Sequence, residues 1–157
     1  MPRQKPNRIE GQFVAHRVDL IASEAWRTAG RAARGILDRL ELEHMAHGGN
    51  ENGNLTCTYD DFASYGIRRK SIAPALNELV ELGLIEIVAR GRGGNAAYRH
   101  ASRYRLTYLA TRSAAPTDEW RRYVAPMNRT GVPLRDIDSG GENATDPVGA
   151  KPPLGTA

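Results

Sequence analysis

The chain has 157 residues, enough for one compact domain with tails, and its 25% charged and 40% hydrophobic residues are typical of a soluble globular protein. The apolar runs are too short for a transmembrane helix, and the N-terminus lacks the continuous apolar stretch of a signal peptide. A single cysteine, Cys57, cannot form an internal disulfide, which suits a reducing compartment. We therefore expect a cytoplasmic protein that does not contact a membrane.

Charge is distributed unevenly along the chain, whose formal net charge is +4. Residues 24–67 contain four arginines and seven acidic residues, a net charge of −3. Residues 68–105 contain eight basic and three acidic residues, a net charge of +5. A basic segment beside an acidic one is expected when one face of a protein meets a polyanion. A solvated surface with unevenly placed arginines gives the same pattern, so charge alone leaves both interpretations open.

Composition divides the chain into four parts. We expect an N-terminal arm over residues 1–22, a folded domain over 23–110 and a C-terminal extension over 111–127. Residues 128–157 are rich in glycine, proline and small polar residues, which predicts a disordered tail. Within the extension, a short helix around Trp120 is expected to pack onto the domain.

The first elements in chain order are predicted to be helical. Ser23 is suited to cap a short helix, and Gly30 separates it from a long one over residues 31–47, where apolar residues follow the helical period and Glu41 is placed on the surface. The glycine- and asparagine-rich stretch 48–54 predicts a loop. Five apolar residues of the arm form a short amphipathic pattern that is expected to pack on the domain: Phe13, Val14, Val18, Leu20 and Ile21.

A short strand and two more helices follow the loop. Residues 55–57 form the strand, and Thr58 caps a brief helix that stops at Gly66. The second helix ends at Gly83, which is suited to a left-handed C-cap. The apolar stripe of this second helix consists of Ile72, Leu76, Leu79 and Val80.

Two runs of β-forming residues complete the domain. Residues 84–90 and 103–108 flank the glycine-rich turn 91–95, and together they predict a β-hairpin with a long tip. The predicted fold class is α+β, mainly α with a small β-hairpin. The order of helices, strand and hairpin is that of a winged helix-turn-helix, in which the second helix of the pair enters the major groove of DNA.

The second helix and the hairpin tip carry the candidate DNA-binding residues. At about 100° per residue, Lys70, Pro74, Asn77 and Glu81 fall opposite the apolar stripe. The helix start is basic, and its free N–H groups and dipole favour phosphate. Pro74 removes one backbone hydrogen bond, so it marks either a kink or a later helix start, and Arg68 is a poor N-cap. The candidate residues are Arg68, Arg69, Lys70, Ser71, Asn77, Arg90, Arg92, Asn95 and Arg99.

Several stretches of the chain resemble known families. Residues 71–85 are similar to the recognition helix and following strand of GntR-type regulators, in which an Ala-Leu pair, a further Leu and a closing Gly-Leu-Ile recur. Residues 12–122 resemble small helix-turn-helix proteins of bacterial and mobile-element origin, some of them replication-initiator-like. The resemblance implies a winged helix-turn-helix fold. The stretches that carry the second resemblance are Glu24–Arg27, Asn52–Leu55, Thr58–Phe62, Gly83–Ile85, Tyr104–Thr107 and Thr117–Trp120.

Signals for catalysis or for a bound metal are weak. His44 and His47 lie three residues apart, but without a second histidine or cysteine pair they are better interpreted as a surface pair near a helix end. Cys57 is more simply a buried strand residue than a nucleophile. The glycine-rich turn lacks the lysine of a phosphate-binding loop. We expect no enzyme activity, no cofactor, no metal and no small-molecule ligand.

The sequence leaves three functions in competition. The first is a transcriptional regulator that binds double-stranded DNA in a sequence-specific manner, and such regulators usually bind as homodimers. The second is a plasmid- or phage-type replication-initiator-like protein that binds clustered repeats. The third is a winged-helix module that docks another protein and does not bind DNA.

Overall fold

A computed structural model describes residues 10–93 and 100–127. Within these ranges the fold is mixed α+β, with five α-helices and a three-stranded antiparallel sheet. The predictions for Asn95, Arg99 and the tail over residues 128–157 lie outside the described residues. No helix of the described part is long and apolar enough to cross a membrane.

The element order agrees with the predicted order. The described residues up to Ala125 belong to one compact unit. The elements are α1 (Val18–Ala22), α2 (Glu24–Thr28), α3 (Arg31–Ala46), β1 (Leu55–Cys57), α4 (Tyr59–Ser64), α5 (Arg69–Glu81), β2 (Ile85–Ala89), β3 (Ser102–Leu106) and a 3₁₀ helix (Glu119–Arg122).

The helices α2 and α3 begin where the sequence predicts. The Ser23 hydroxyl accepts a hydrogen bond from the Trp26 backbone N–H at 3.1 Å, and Gly30 is the N-cap of α3. The predicted amphipathic element packs on the domain through Leu20 alone, which is buried in the core, whereas Val18 is 83% exposed. Helix α1 has five residues, too few to bury more than one narrow face.

A reciprocal cap starts α4. The Asp61 backbone N–H donates to the Thr58 hydroxyl at 3.1 Å, and the Thr58 backbone N–H donates to the Asp61 carboxylate at 2.7 Å. The Thr58 hydroxyl also donates to the Asp61 carboxylate at 2.7 Å, and the two bonds that this carboxylate accepts from Thr58 lower its pKa below its usual 3.8. The arrangement is a capping box, which satisfies two N–H groups that the first turn leaves without helical partners.

Replacement of Thr58 by alanine is therefore expected to lower the free energy of unfolding by about 1 kcal/mol at neutral pH. Part of this loss depends on the ionised form of Asp61. Because the pKa of Asp61 is lower in the folded than in the unfolded protein, its ionisation stabilises the fold above pH 3.8, and this contribution is lost as the pH falls through the pKa of the folded protein. Urea denaturation at pH 7 and at about pH 3, below the usual carboxyl pKa, measures both effects, and the difference between the two proteins should shrink at the lower pH. An equal or larger difference there would contradict the account.

Helix α5 runs without interruption from Arg69 to Glu81, so Pro74 neither delays its start nor breaks it. Pro74 and Lys70 are both exposed, so the backbone bond that Pro74 cannot donate to the Lys70 carbonyl is lost on the outer side of the helix. The prediction that Val80 belongs to the buried stripe is wrong, since Val80 is 42% exposed. It lies about 90° from the centre of the stripe at about 100° per residue. The stripe consists of Ile72, Ala75, Leu76 and Leu79.

The sheet has the strand order β1-β3-β2, with all pairs antiparallel. Tyr104 and Leu106 point into the core, and Arg103 and Arg105 lie on the outer face of the sheet. A register shift between Ile87 and Ala89 interrupts the β2–β3 pairing on the way to the hairpin tip. The core side of the sheet packs against α3 and α5, so these two helices and the hairpin are held in fixed positions.

Two polar side chains of α3 are buried, contrary to prediction. Glu41, predicted on the surface, is 6% exposed because it accepts hydrogen bonds from the Tyr108 hydroxyl and from the ring of His16, the latter at 2.6 Å. Burial, together with the Glu41 charge, raises the pKa of Tyr108 well above its usual value. The prediction of a surface position for His44 is also wrong, since this residue is buried, and burial lowers its pKa.

Candidate nucleic-acid interface

The start of α5 presents three basic side chains to solvent. Arg68, Arg69 and Lys70 are all exposed, whereas Ser71 is half-buried. Arg68 is the N-cap, and its side chain makes no capping hydrogen bond. The first turn of α5 contains no acidic residue, so its free N–H groups add to the positive charge of the side chains.

Arg69 and Lys70 point in different directions. Arg69 forms an ion pair with Asp60 in the first turn of α4. Lys70 lies about 100° further round the helix, on the outer face that also carries Pro74 and Asn77. The outer face therefore offers an ammonium group and an exposed amide about two turns apart, while Arg69 stands on the flank nearest α4.

The hairpin brings two further arginines to the same side of the molecule. Arg90 and Arg92 are exposed, and Arg92 forms an isolated bridge to His100, where its N–H donates to the His100 carbonyl at 3.1 Å. Gly91 allows this close approach, since a Cβ atom there would lie 2.5 Å from the His100 carbonyl oxygen. The Gly91 N–H also donates to the Ser102 hydroxyl at 2.9 Å, which fixes the base of the tip.

A cleft of about 670 Å³ separates the helix start from the hairpin. Arg69 lines it from the side of α5, and Arg90 and Arg92 line it from the hairpin. The apolar part of its lining includes Leu76 and Ile87. Three of the predicted residues are thus brought together around one cleft. The adjoining surface of α5 carries Arg68, Lys70 and Asn77.

Asp60, the ion-pair partner of Arg69, also lines the cleft, and two buried side chains of the lining stay protonated at neutral pH. Burial raises the pKa of the Cys57 thiol to about 12, so the thiol stays protonated. Burial also raises the pKa of Tyr104, which is fully buried. Cys57 is a buried strand residue, as predicted.

The two histidines at the end of α3 do not form a metal-binding pair. His47 is exposed and its Nδ1 lies 3.0 Å from the Glu43 carbonyl oxygen, whereas His44 is buried. More generally, no group of three or more His, Cys, Asp or Glu side chains in residues 10–93 and 100–127 is placed to hold a metal ion.

Sequence reasoning missed two features of this surface. One is the ion pair between Arg69 and Asp60, which needs the angle between α4 and α5. The other is Arg103, which is exposed on the outer face of β3 beside the hairpin tip. The alternation of apolar and basic residues along β3 indicates that Arg103 is exposed, because a strand places every second side chain on the outer face of the sheet.

Comparisons of the chain with protein-family models, with curated proteins and with solved structures find no match. The candidate interface rests on geometry and charge alone. Its components are the basic first turn of α5, the outer face of the same helix and the basic hairpin across the cleft.

Proposed function

We propose that the chain is a winged helix-turn-helix protein that binds double-stranded DNA in a sequence-specific manner and acts as a transcriptional regulator. The single observation that carries the proposal is the surplus of exposed basic side chains around one cleft, where, among the described residues, only Arg69 is offset by a carboxylate, that of Asp60; the basic residues are Arg68, Arg69 and Lys70 on α5 and Arg90 and Arg92 on the hairpin. A surface of this kind matches the phosphate backbone in charge, and the phosphates supply a large share of the affinity of DNA-binding proteins.

The topology supports the choice of fold. A helix (α3), a strand (β1), a pair of helices (α4 and α5) and two strands follow one another, and β1 pairs with the hairpin to give the order β1-β3-β2. Helix α5 packs on α3 through its buried stripe, and its opposite face is exposed. This is the element order of winged helix-turn-helix proteins, with α5 as recognition helix and the β2–β3 hairpin as wing.

The dimensions of α5 suit the major groove. Lys70 and Asn77 both lie on the exposed face, and their separation in sequence corresponds to about 10 Å along a helix axis. That distance is the rise of about three base pairs of DNA. Asparagine can pair with adenine through two hydrogen bonds, and lysine can donate to guanine or to a phosphate. We assign base reading to the outer face of α5 and backbone binding to its first turn.

Selection of bound duplexes from a random pool, followed by sequencing, tests the proposal. Enrichment of one shared sequence is expected, and two inverted copies would indicate a dimeric regulator. Direct repeats would favour a replication-initiator role. Failure to retain any duplex would contradict DNA binding and would favour a module that docks another protein.

A separate prediction concerns Arg92 on the β2–β3 hairpin. Replacement of Arg92 by alanine is expected to lower affinity by a similar factor for every duplex sequence, because a wing side chain mainly contacts the backbone. Binding isotherms on the selected duplex and on single-base variants of it measure this effect. Loss of affinity confined to a few base positions would instead assign Arg92 to base reading.

A further inference from the structure

The outer face of the sheet is electrostatically divided into two ends. At the base, the Arg105 guanidinium lies 2.9 Å from the Glu86 carboxylate and 3.6 Å from that of Glu119. In the same region, the Arg112 guanidinium lies 2.7 Å from the Glu51 carboxylate. The arginines at this end are therefore neutralised by carboxylates of the protein itself.

The tip end differs from the base. Arg90, Arg92 and Arg103 line an open hollow of about 520 Å³ together with Thr56, and no carboxylate is among the described residues that line it. Within the described residues, none of these three arginines forms an ion pair with a carboxylate. The Arg103 guanidinium has one weak neutral partner, the Asn54 amide oxygen at 3.4 Å.

Unpaired guanidinium groups on an exposed sheet face are suited to an external anion. An arginine presents its donors in a planar fork that matches phosphate oxygens. Thr56 pairs with Arg103 across β1 and β3 and is exposed, and its hydroxyl donates to the Asn54 backbone carbonyl at 3.3 Å, a long bond that rotation of the hydroxyl can exchange for an anion in the hollow. The hollow also adjoins the proposed DNA surface, because Arg90 and Arg92 line both the hollow and the cleft beside α5.

We infer that Arg103 and Thr56 form a second backbone-binding site, which holds phosphates of the same DNA duplex beyond the wing. This inference rests on the proposed function. The ligand of this site is the part of the sugar–phosphate backbone that lies beyond the α5 site, next to the tip end of the sheet. The footprint then extends past the groove read by α5, and affinity gains a contribution that does not depend on sequence.

The test compares the full chain with Arg103→Ala and with the control Arg112→Ala, which removes the same side chain from the neutralised end. Binding to a mixed-sequence duplex is measured by fluorescence anisotropy at several salt concentrations. Arg103→Ala should bind about 10-fold more weakly, and the slope of log K against log salt concentration should become shallower by about 0.9 for each phosphate that the variant no longer neutralises. Arg112→Ala should match the wild-type protein in both quantities.

Hydroxyl-radical footprints add a positional readout. Wild-type protein should protect a backbone segment outside the α5 site, and Arg103→Ala should lose that protection alone. Arg103→Lys should retain the salt slope, and Arg103→Gln provides a second neutral variant that keeps part of the side-chain stem. If the wild-type protein binds the duplex and both Arg103→Ala and Arg103→Gln match it in affinity, salt slope and footprint, this inference is overturned and the proposed function still stands. Absence of duplex binding by the wild-type chain would overturn both.

Discussion

Charge reversal at Arg69 and Lys70 is expected to weaken duplex binding by at least about 100-fold. Hydrogen bonds to charged groups contribute about 1.5–3 kcal/mol each, and the double variant loses two such donors and gains two groups that repel phosphate. The thermal midpoint should change little, because both side chains are exposed. The ion pair between Arg69 and Asp60 lies on the surface, where such pairs contribute little to stability. Anisotropy titrations and thermal melts measure the two quantities.

A matched control separates position from total charge. Arg27 and Arg122 are exposed, and reversing both changes the net charge by the same amount. Arg122 belongs to the 3₁₀ helix that packs against Gly83, at the end of α5 opposite to Arg69, about 20 Å away along a 13-residue helix. The control should retain most of its affinity. Equal losses in both variants would indicate that overall charge, and not the start of α5, determines binding.

Replacement of Gly83 by alanine is expected to lower the free energy of unfolding by more than about 2 kcal/mol. Gly83 has φ +70°, which costs a residue with a side chain about 1–2 kcal/mol. A Cβ atom would also lie 2.8 Å from the backbone of Glu119 and Trp120. The 3₁₀ helix would have to move away from the end of α5, and the buried Trp120 would lose packing.

Gly48 provides the matched control, because it has the same φ of +70° and the nearest atom to its Cβ position is 3.9 Å away. Gly48→Ala should show the backbone cost alone. Urea denaturation of both variants should give a lower midpoint for Gly83→Ala with an unchanged slope. Equal midpoints for the two variants would show that the contact of the new Cβ at position 83 with the 3₁₀ helix does not contribute to the loss of stability.

Local signals predicted the helix ends well. The cap at Thr58 and the turn at Gly83 depend on residues within a few positions, so the sequence contains what is needed to identify them. The same holds for the short strand at residues 55–57 and for the exposure of Asn77. The helix period also gave the outer face of α5 correctly, apart from Val80 at its edge.

Buried polar residues could not be predicted, because their partners are distant in sequence. Glu41 is buried through bonds to His16 and Tyr108, which are 25 and 67 residues away. Asn52 lies in the predicted loop, yet its amide binds the backbone of Leu106, 54 residues away, and is buried. A pattern of apolar spacing contains no information about such contacts.

Part of the candidate interface depends on strand register. Alternation places both Arg103 and Arg105 on the outer face of β3, and nothing in the sequence distinguishes them. The pairing of β2 with β3 sets Glu86 opposite Arg105, whereas β1 sets Thr56 opposite Arg103. One arginine is thereby neutralised and the other remains available.

The central claim is that α5 and the hairpin together bind a line of phosphates. Titration of the full chain against a mixed-sequence duplex over a range of salt concentrations tests it most directly. We expect tight binding at low salt that weakens steeply, with a slope of log K against log salt concentration that corresponds to several phosphate contacts. Absence of a complex at low salt with micromolar protein, or a complex whose affinity does not change with salt, would contradict the account.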